Sequence, residues 1–481
     1  MVHEDGTTPS PFNCNPFTFS PRLQEFMSPD QRGIGLINLL RRCVFEVSAG
    51  NIGQANECLN SISLLASPTA GGGEGHTMQR LASYFADALA RRIILDRFAG
   101  VHRALLSSSD SGDRQLVATA RDHFYEHFPF LKVAFLTSNQ AILEAMEDEK
   151  VNVSLTCCLN FMLYYLPYMN DKFDLLYACM QVVHIIDLSG PVANPEQWLS
   201  LLYAFLRRPE GPPHLRITAV HDDSGLLHRM STLLTAQADN YEMSFQFHAV
   251  EAHLDALNFD KLRVKTGEAV AVCSIVNLHR LLATDEAKGS PYNAYPMLGT
   301  FGDLLRSEHG HNLIGLSPDW AHSSPSPIES FLSSLYALSP KVVVVAEQEA
   351  NHNGELCERF AEAIYYYANL FDCMQSTAPR AVTERARVEK FLLGEEIKNI
   401  IACDGLARRE RHEKLERWEQ RLNLAGFGRV PLSYGGLEVA RGLLESRGCE
   451  GHSVKDKNGC FFLCWKERPL FSVSAWRFKR F

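Results

Sequence analysis

The chain has 481 residues, 46% hydrophobic and 21% charged, a balance typical of globular proteins with two or three cores or one large capped core. Its formal net charge of −9 argues against nucleic-acid binding through bulk positive charge. The 13 cysteines show no paired metal spacing, which argues against a zinc site and indicates reduced thiols in the cytosol or nucleus.

The first hundred residues predict a short tail followed by helices. Residues 1–30 are rich in Pro, Ser and Asn and predict a flexible tail. Three apolar stripes of helical period follow within residues 31–100 and predict a helical cap. The first stripe contains Leu36, Leu39 and Leu40, which have the Leu-x-x-Leu-Leu spacing of co-regulator docking helices. Because they lie within the stripe, we interpret them as core residues.

From residue 182 the pattern changes to short β-branched runs that alternate with helical segments. Apolar runs at 182–188, 215–220, 244–250, 269–279 and 341–348 predict parallel strands with helices on both faces. Two neighbouring runs, "CFFLCW" and "PLFSVSAW", predict a closing antiparallel hairpin at the sheet edge. The predicted fold class is therefore α/β: a Rossmann-like, mostly parallel sheet similar to class I methyltransferases, with an α-helical cap. A Ser-, Pro- and Gly-rich stretch at 283–329 predicts a mobile surface loop.

The turn after the first strand decides whether this sheet keeps a cofactor. Ligands of open α/β sheets bind beyond the carboxyl ends of the strands, and here the first strand ends at Asp187. The following turn has only Gly190, while Pro191 and Pro195 lack the N–H groups that a phosphate needs. Asp222, after the second strand, could hold a ribose. We favour a sheet that has lost its cofactor, with no catalytic, cofactor-binding or metal-binding residues.

Two groups of polar residues have both a functional and a structural interpretation. We interpret His184, within the first strand, as a core residue with satisfied hydrogen bonds. Glu347, Glu349 and His352 follow the fifth strand and could bind a metal or act as acid and base. We favour a network of helix-capping and loop hydrogen bonds for them.

The charged run at 407–422 predicts an exposed helix. Its pairs Glu410–Lys414 and Glu413–Arg417 have the i,i+4 spacing that stabilises a solvated helix face. The alternative is a surface for a protein partner or DNA. The residues of that candidate surface are Arg408, Arg409, Arg411, His412, Lys414 and Arg417.

Several ordered motifs together resemble the GRAS family of plant transcriptional regulators. The VHIID motif of that family is matched by Val183, His184, Ile185, Ile186 and Asp187. Its terminal SAW motif is matched by Ser474, Ala475 and Trp476. Stretches such as "RPEGPPHLRIT" and "LRVKTGEAVAV" are most similar to the Scarecrow-like protein 3 subgroup. The chain departs from the family in the turn after VHIID, and only "RVEK" at 387–390 stands in for the PFYRE motif.

The resemblance implies one GRAS domain at 31–481 after the tail 1–30. Its parts are leucine-rich region I at 31–100, the VHIID region at 182–220, leucine-rich region II at 224–258, a PFYRE-like region at 268–402 and the SAW region at 403–481. In the family, "AILEAMEDEK" would lead almost directly into "VVHIID", so residues 151–181 are predicted to be a non-native insertion. Val151 and Gln181 are compatible with the GT and AG ends of an unspliced intron. The uncharged run at 151–170 could also be a membrane anchor, but its polar residues argue against this.

The resemblance further implies a nuclear transcriptional regulator without catalysis or cofactor. The implied partners are GRAS proteins, including DELLA repressors, and C2H2 zinc-finger transcription factors that supply the DNA contact. DNA binding would then be mostly indirect, and no membrane association is implied. The implied assembly is a homo- or heterodimer. The implied setting is gibberellin signalling and root development. A first alternative is a direct, sequence-specific DNA-binding factor that uses Arg41, Arg42, Arg91 and Arg92. A second, ranked lower, is an S-adenosylmethionine-dependent methyltransferase that uses Asp187 or Asp222.

Overall fold

The structure, a computed structural model, describes residues 28–66, 75–97, 111–147, 182–209, 211–283, 326–447 and 450–479. Almost all of the predicted tail, the insertion 151–181 and most of the predicted loop 283–329 lie outside these ranges. Two predicted boundaries move. The first helix begins at Pro29, because Ser28 and Gln31 form a reciprocal capping box. The predicted loop ends before residue 329, because Ser326 and Glu329 form the same box at the start of the helix Pro327–Ala337.

In the part of the chain that the structure describes, five helices precede the sheet. Leu36 and Leu40 on the first helix and Phe85 on the third are fully buried, which is why the predicted apolar stripes fold as a packed cap. The fifth helix is buried along most of its length and packs on the sheet. Within the described ranges, no helix combines the length and the apolar character needed to cross a bilayer. The five are α1 Pro29–Ser48, α2 Ile52–Ala66, α3 Thr77–Arg97, α4 Ser111–His127 and α5 Pro129–Ala145.

The described strands form a single sheet in the order β3-β2-β1-β4-β5-β9-β8-β7, with β6 also paired to β9. Strands β1 to β5 are parallel, whereas β9 runs antiparallel to β5. This arrangement confirms the predicted Rossmann-like fold class. The strands are β1 Val182–Asp187, β2 His214–His221, β3 Phe245–Glu251, β4 Ala269–Ile275, β5 Val342–Gln348, β6 Phe427–Val430, β7 His452–Lys457, β8 Cys460–Trp465 and β9 Arg468–Phe478.

Both faces of the central strands are covered. In β5, Val342 and Val344 point into one hydrophobic cluster while Val343 and Val345 point into the other, as the period of a strand requires. The helices that follow β1 pack on the sheet, on the cap or on one another. They are α6 Pro195–Leu206, α7 Ser224–Asn240, α8 Pro327–Ala337, α9 Leu356–Thr377, α10 Val382–Val388, α11 Gly394–Ala402, α12 Leu415–Leu424 and α13 Tyr434–Ser446.

The antiparallel end of the sheet is larger than the predicted hairpin. Strands β8 and β9 form that hairpin. Strand β7 pairs with β8, and β6 pairs with the second half of β9, beyond the part that β8 covers. The turn between β7 and β8 needs left-handed backbone at Asn458 (φ 57°) and Gly459 (φ 77°), a combination that Asn-Gly supplies at low cost. The charged residues of β7 lie at the outer edge of the sheet.

Candidate functional site

The VHIID strand supplies buried structural contacts. Val183, Ile185 and Ile186 fill the two hydrophobic clusters. The His184 ring lies 2.8 Å from Glu268 Oε2 through Nδ1 and 2.8 Å from Thr218 Oγ1 through Nε2. Burial and the adjacent Arg216 lower the pKa of His184 to about 4, so the ring is neutral at physiological pH. His184 is thus placed as a core residue with both ring nitrogens in use.

Asp187 holds the turn after β1 against α6. One carboxylate oxygen accepts from the backbone N–H of Ser189 at 2.9 Å, and the other accepts from Trp198 Nε1 at 2.7 Å. Burial raises the pKa of Asp187, although these donors counteract the effect. Both oxygens therefore have partners within the protein, and the side chain is not directed at a ligand.

The turn after β1 is filled by an amide. Gly190 has φ +49°, and a Cβ there would lie 2.5 Å from Asn277 Nδ2. That amide donates to the carbonyl of Leu188 at 2.7 Å. The side chain of Asn277, from the end of β4, thus fills the turn that in nucleotide-binding sheets stays open for the ligand.

A small cavity lies directly beside Gly190. It encloses about 30 Å³ and is lined by His221, Asp222, Asn277 and Arg280, among others. Such a volume holds one or two water molecules, not a nucleoside. Asp222, considered above for a ribose, is half exposed and lies 3.2 Å from His221 Nδ1 and 3.4 Å from His253 Nδ1.

The group after β5 forms a buried hydrogen-bond network. Glu347 accepts from the backbone N–H groups of Asn277 and Leu278 at 3.1 and 2.8 Å and thereby caps the short helix Leu278–Leu282. Glu349 accepts from the N–H of Leu415 at 3.1 Å, at the start of α12. This is the arrangement of helix caps and loop bonds expected from the sequence.

His279 links this network to the segment before α12. Its ring lies 2.8 Å from Glu347 Oε2 through Nδ1 and 2.8 Å from Glu410 Oε2 through Nε2. Burial opposes a charge there, but Glu347 and Glu410 outweigh it and raise the pKa of His279 to about 9. His279 is therefore an imidazolium clamped between two carboxylates. Sequence reasoning missed both His279 and Glu410, because 131 residues separate them.

Donor atoms of His279, Glu410 and His412 lie within 4.8 Å of one another, which raises the question of a metal. The rings of His279 and His412 overlap with centroids 4.1 Å apart and planes tilted by 32°. Because the lone pair of an imidazole nitrogen lies in the ring plane, such rings do not converge on one ion. Glu410 Oε1 also accepts from Arg280 Nη2 at 2.9 Å. The donor set is therefore suited to sharing protons and not to binding a metal.

The candidate surface at 408–417 is wrong for three of its six residues. Arg408, Arg411 and His412 are buried, with relative exposures of 3%, 4% and 0%. Arg408 donates to the carbonyl of His352 at 3.2 Å, and Arg411 donates to Asn353 Oδ1 at 3.0 Å. The remaining three, Arg409, Lys414 and Arg417, are exposed.

The physical reason is that 408–414 is not helical. Asn399 Oδ1 accepts from the N–H groups of Arg409 and Glu410 at 2.7 and 2.9 Å and fixes the segment as an extended strap. The predicted i,i+4 pairs do not form. Glu410 binds His279, and Glu413 binds Arg421 at 2.8 Å.

The other motif residues are also part of the packed fold. Leu36 and Leu40 are fully buried and Leu39 is partly buried, so the Leu-x-x-Leu-Leu spacing belongs to the inner face of α1. In the SAW motif, Ser474 Oγ donates to Val345 O at 3.3 Å, and Trp476 Nε1 donates to Ser474 Oγ at 2.9 Å. Ala475 is buried on β9.

Three of the four cap arginines considered for DNA binding are ion-paired. Arg42 lies 3.9 Å from Glu46, Arg91 lies 3.2 Å from Asp87, and Arg92 lies 2.6 Å from Asp404. The fourth, Arg41, is exposed.

The chain is similar to known proteins over most of its length. The GRAS domain family model matches residues 36–153 and 173–477. Scarecrow-like protein 3 of Arabidopsis thaliana is 43% identical, over 98% of this chain and 92% of its own length. GRAS family protein TF80 of Medicago truncatula is 40% identical, over 94% and 97% respectively. DELLA protein RGL1 of Arabidopsis thaliana is 31% identical, over 96% and 73%.

A solved structure is similar as well. The crystal structure of SCL7 of Oryza sativa superimposes with a TM-score of 0.65 at 26% identity, covering 92% of this chain and 99% of that one. The match of the family model along the sequence agrees with this shared fold and with the buried VHIID and SAW strands described above. The chain therefore belongs to the GRAS domain family.

Proposed function

We propose that this chain is a plant transcriptional regulator that acts in the nucleus through contacts with other proteins and catalyses no reaction. The observation that carries the proposal is the amide of Asn277, which occupies the turn between Leu188 and Gly190 where a cofactor would bind. Membership of the GRAS family, with Scarecrow-like and DELLA relatives, supports the regulatory assignment.

The proposed partners follow from those relatives. They are GRAS proteins, DELLA proteins among them, and C2H2 zinc-finger transcription factors, with homo- or heterodimers as the assembly. The proposed setting is gibberellin signalling and root development. With a net charge of −9 and three of the four cap arginines ion-paired, we expect DNA binding by the purified chain to be weak and salt-sensitive.

Calorimetric titration with S-adenosylmethionine tests the absence of a cofactor site. We expect no heat of binding for the full chain, and the same for Asn277→Gly, since both oxygens of Asp187 remain bonded to Ser189 and Trp198. Saturable binding that disappears in Asp222→Asn, accompanied by methyl transfer, would favour the methyltransferase alternative and refute this proposal.

Partner capture from plant nuclear extract tests the regulatory part. The chain would be used with and without residues 151–181, and bound proteins identified by mass spectrometry. We expect GRAS and zinc-finger proteins with both forms. Sequence-specific DNA binding at nanomolar concentration and physiological salt, without any partner, would instead support the direct DNA-binding alternative.

The insertion 151–181 stays a proposal of its own. Residues 154–172, which the family model leaves unmatched, fall inside it. Transcript sequencing from several tissues checks it: the codons for 151–181 should be absent from most spliced messages. Their presence in every tissue would show that the segment is native.

A further inference from the structure

A large cleft lies above the carboxyl ends of the strands, outside the filled turn. It encloses about 1440 Å³ between α4, the start of α6, α7 and the segment from Phe391 to Glu410. It adjoins the small cavity described above, because Pro191, Arg280 and Arg409 line both. Open α/β sheets bind their ligands at this position, where strands β1 and β4 diverge.

Arginines converge on the walls of this cleft. Arg121 comes from α4, Arg229 from α7, Arg280 from the helix after β4, and Arg409 from the strap. Neither Arg121 nor Arg229 has a hydrogen bond or ion pair with any residue in the ranges that the structure describes. Arg280 binds Glu410 through Nη2, but its buried Nε has no hydrogen-bond partner in those ranges. Guanidinium groups with unused donors are suited to anions.

Arg121 and Arg280 form a repulsive pair. Burial and the like charge of Arg280 lower the pKa of Arg121, even though Asp222, Asp223 and Asp122 act in the opposite direction. Arg121 is only partly exposed, so solvent does not fully screen this repulsion. A bound anion between the two guanidinium groups would relieve it.

Most of the acidic side chains of the cleft already have donors elsewhere. Glu410 is held by His279 and Arg280, and Asp223 caps α7 through the N–H of Leu226. Glu396 accepts from Tyr367 and Gln348, and Glu395 pairs with Lys398 at 2.7 Å. Asp122, Glu126 and Glu196 remain along the outer wall.

The size and lining of the cleft indicate a polypeptide ligand. Pockets for small molecules and cofactors typically measure about 300–1000 Å³, which is less than the volume of this cleft. Apolar side chains alternate with the arginines, among them Val117 and Phe124 of α4 and Leu226 and Leu233 of α7. A helix with an apolar face and flanking carboxylates could pack against the apolar side chains and pair with the arginines of the cleft.

We infer that this arginine cleft binds an acidic amphipathic segment of a partner protein, with a carboxylate or phosphate held between Arg121 and Arg280. The inference rests on the proposed function, since it names the kind of segment by which partners are recognised.

Fluorescence anisotropy with the full chain tests the inference. The probe is a fluorescein-labelled amphipathic peptide rich in glutamate and leucine, compared with the same peptide carrying glutamine in place of glutamate. We expect Arg121→Gln to weaken binding of the acidic peptide at least tenfold. The glutamine peptide should bind both the parent chain and Arg121→Gln no more tightly than the acidic peptide binds Arg121→Gln. The matched control is Arg417→Gln, exposed on α12, which should leave binding unchanged.

Thermal unfolding of the same variants separates binding from a structural role. Because Arg121 makes no hydrogen bond or ion pair with the residues that the structure describes, and feels the like charge of Arg280, Arg121→Gln should melt at the same temperature as the parent chain or higher. A lower melting temperature, or unchanged peptide binding, would overturn the inference. Equally tight binding of inorganic pyrophosphate would identify a free phosphate ligand instead, and competition by a DNA duplex that depends on Arg121 would identify a nucleic acid. Each of these results leaves the S-adenosylmethionine titration unaffected, so the proposed function is judged separately.

Discussion

At the residue scale, a few buried side chains replace the contacts that a ligand would make. Asp187 and Asn277 both lie at the carboxyl edge of the sheet, yet each is bonded to the protein's own turn. The strand end and the proline-rich turn could be predicted from the sequence, because they depend on neighbouring residues. The role of Asn277 could not, because it bonds to Leu188 across a separation of 89 residues.

The bond between Trp198 and Asp187 should contribute measurably to stability. Trp198→Phe removes the donor from a buried carboxylate, whereas Trp418→Phe removes an indole N–H that has no hydrogen-bond partner among the described residues. Both tryptophans are at most 1% exposed, so they are well matched. We expect Trp198→Phe to lower the free energy of unfolding by about 1–3 kcal/mol more than Trp418→Phe. Urea denaturation measures this, and equal losses would contradict it.

Buried histidines should set the pH dependence of stability. Burial lowers the pKa of His184 to about 4, and burial with the charge of His279 lowers that of His352 to about 3. The unfolded chain, with histidine pKa near 6.5, then binds more protons, so stability falls as the pH drops below about 6.5. Burial and Glu410 raise the pKa of Glu396 to about 7. Between about pH 7 and 4.5 the folded chain therefore binds one proton more at Glu396 than the unfolded chain does, which partly offsets the loss of stability caused by the histidines.

The alkaline side depends on His279. Its folded pKa of about 9 exceeds the unfolded value, so its contribution is complete below about pH 6.5 and is lost as the pH rises through 9. The difference in unfolding free energy between the parent chain and His279→Gln should therefore shrink between pH 6.5 and pH 10. Denaturation of both proteins with guanidinium chloride at several pH values across this range tests the prediction. A constant difference in unfolding free energy would refute the assignment of an imidazolium to His279.

At the element scale, regular periodicity was a good guide and charge pairing was not. The stripes of α1 to α3 and the apolar runs of β1 to β5 could be predicted because each element buries the face that its own pattern defines. The i,i+4 charges at 407–422 predict a helix, which forms from Leu415 onward but not in the strap at 408–414. The actual partners of the strap, including His279 and His352, come from other strand ends, and a local pattern cannot reveal them.

The turn between β7 and β8 offers a matched test of backbone strain. Gly459 and Gly50 both have φ +77°, but an added Cβ at Gly459 would lie 2.7 Å from the backbone Cα of Pro431, whereas nothing lies within 4 Å at Gly50. Gly50→Ala should cost about 1 kcal/mol through its conformation alone. Gly459→Ala should cost about 1–3 kcal/mol more, because the neighbouring loop must move. Thermal melts of the two variants measure the difference, and similar losses would show that the loop yields freely.

At the scale of the whole molecule, ion pairs join the cap to the later helices. Arg80 on α3 lies 2.9 Å from Glu389, whose side chain is 2% exposed. Replacing Arg80 by Met removes this close cation from the buried carboxylate and should cost about 3 kcal/mol. The exposed pair Arg91–Asp87 is the control, and Arg91→Met should cost less than about 0.5 kcal/mol. Chemical denaturation compares them, and equal effects would mean that the cap is held by its apolar face alone.

The position of β9 has a consequence for synthesis. Residues 471–476 of β9 pair with β5, so the valine-rich strand at 342–348 has no neighbour on that side until those residues have been translated. A ribosome that stalls or terminates early releases a nascent chain in which one edge of β5 presents unpaired backbone N–H and C=O groups, which can pair with other chains. Chaperones and proteases recognise such edges, so stop codons placed between β5 and β9 should deplete the cell of the protein and not yield a shortened, active form.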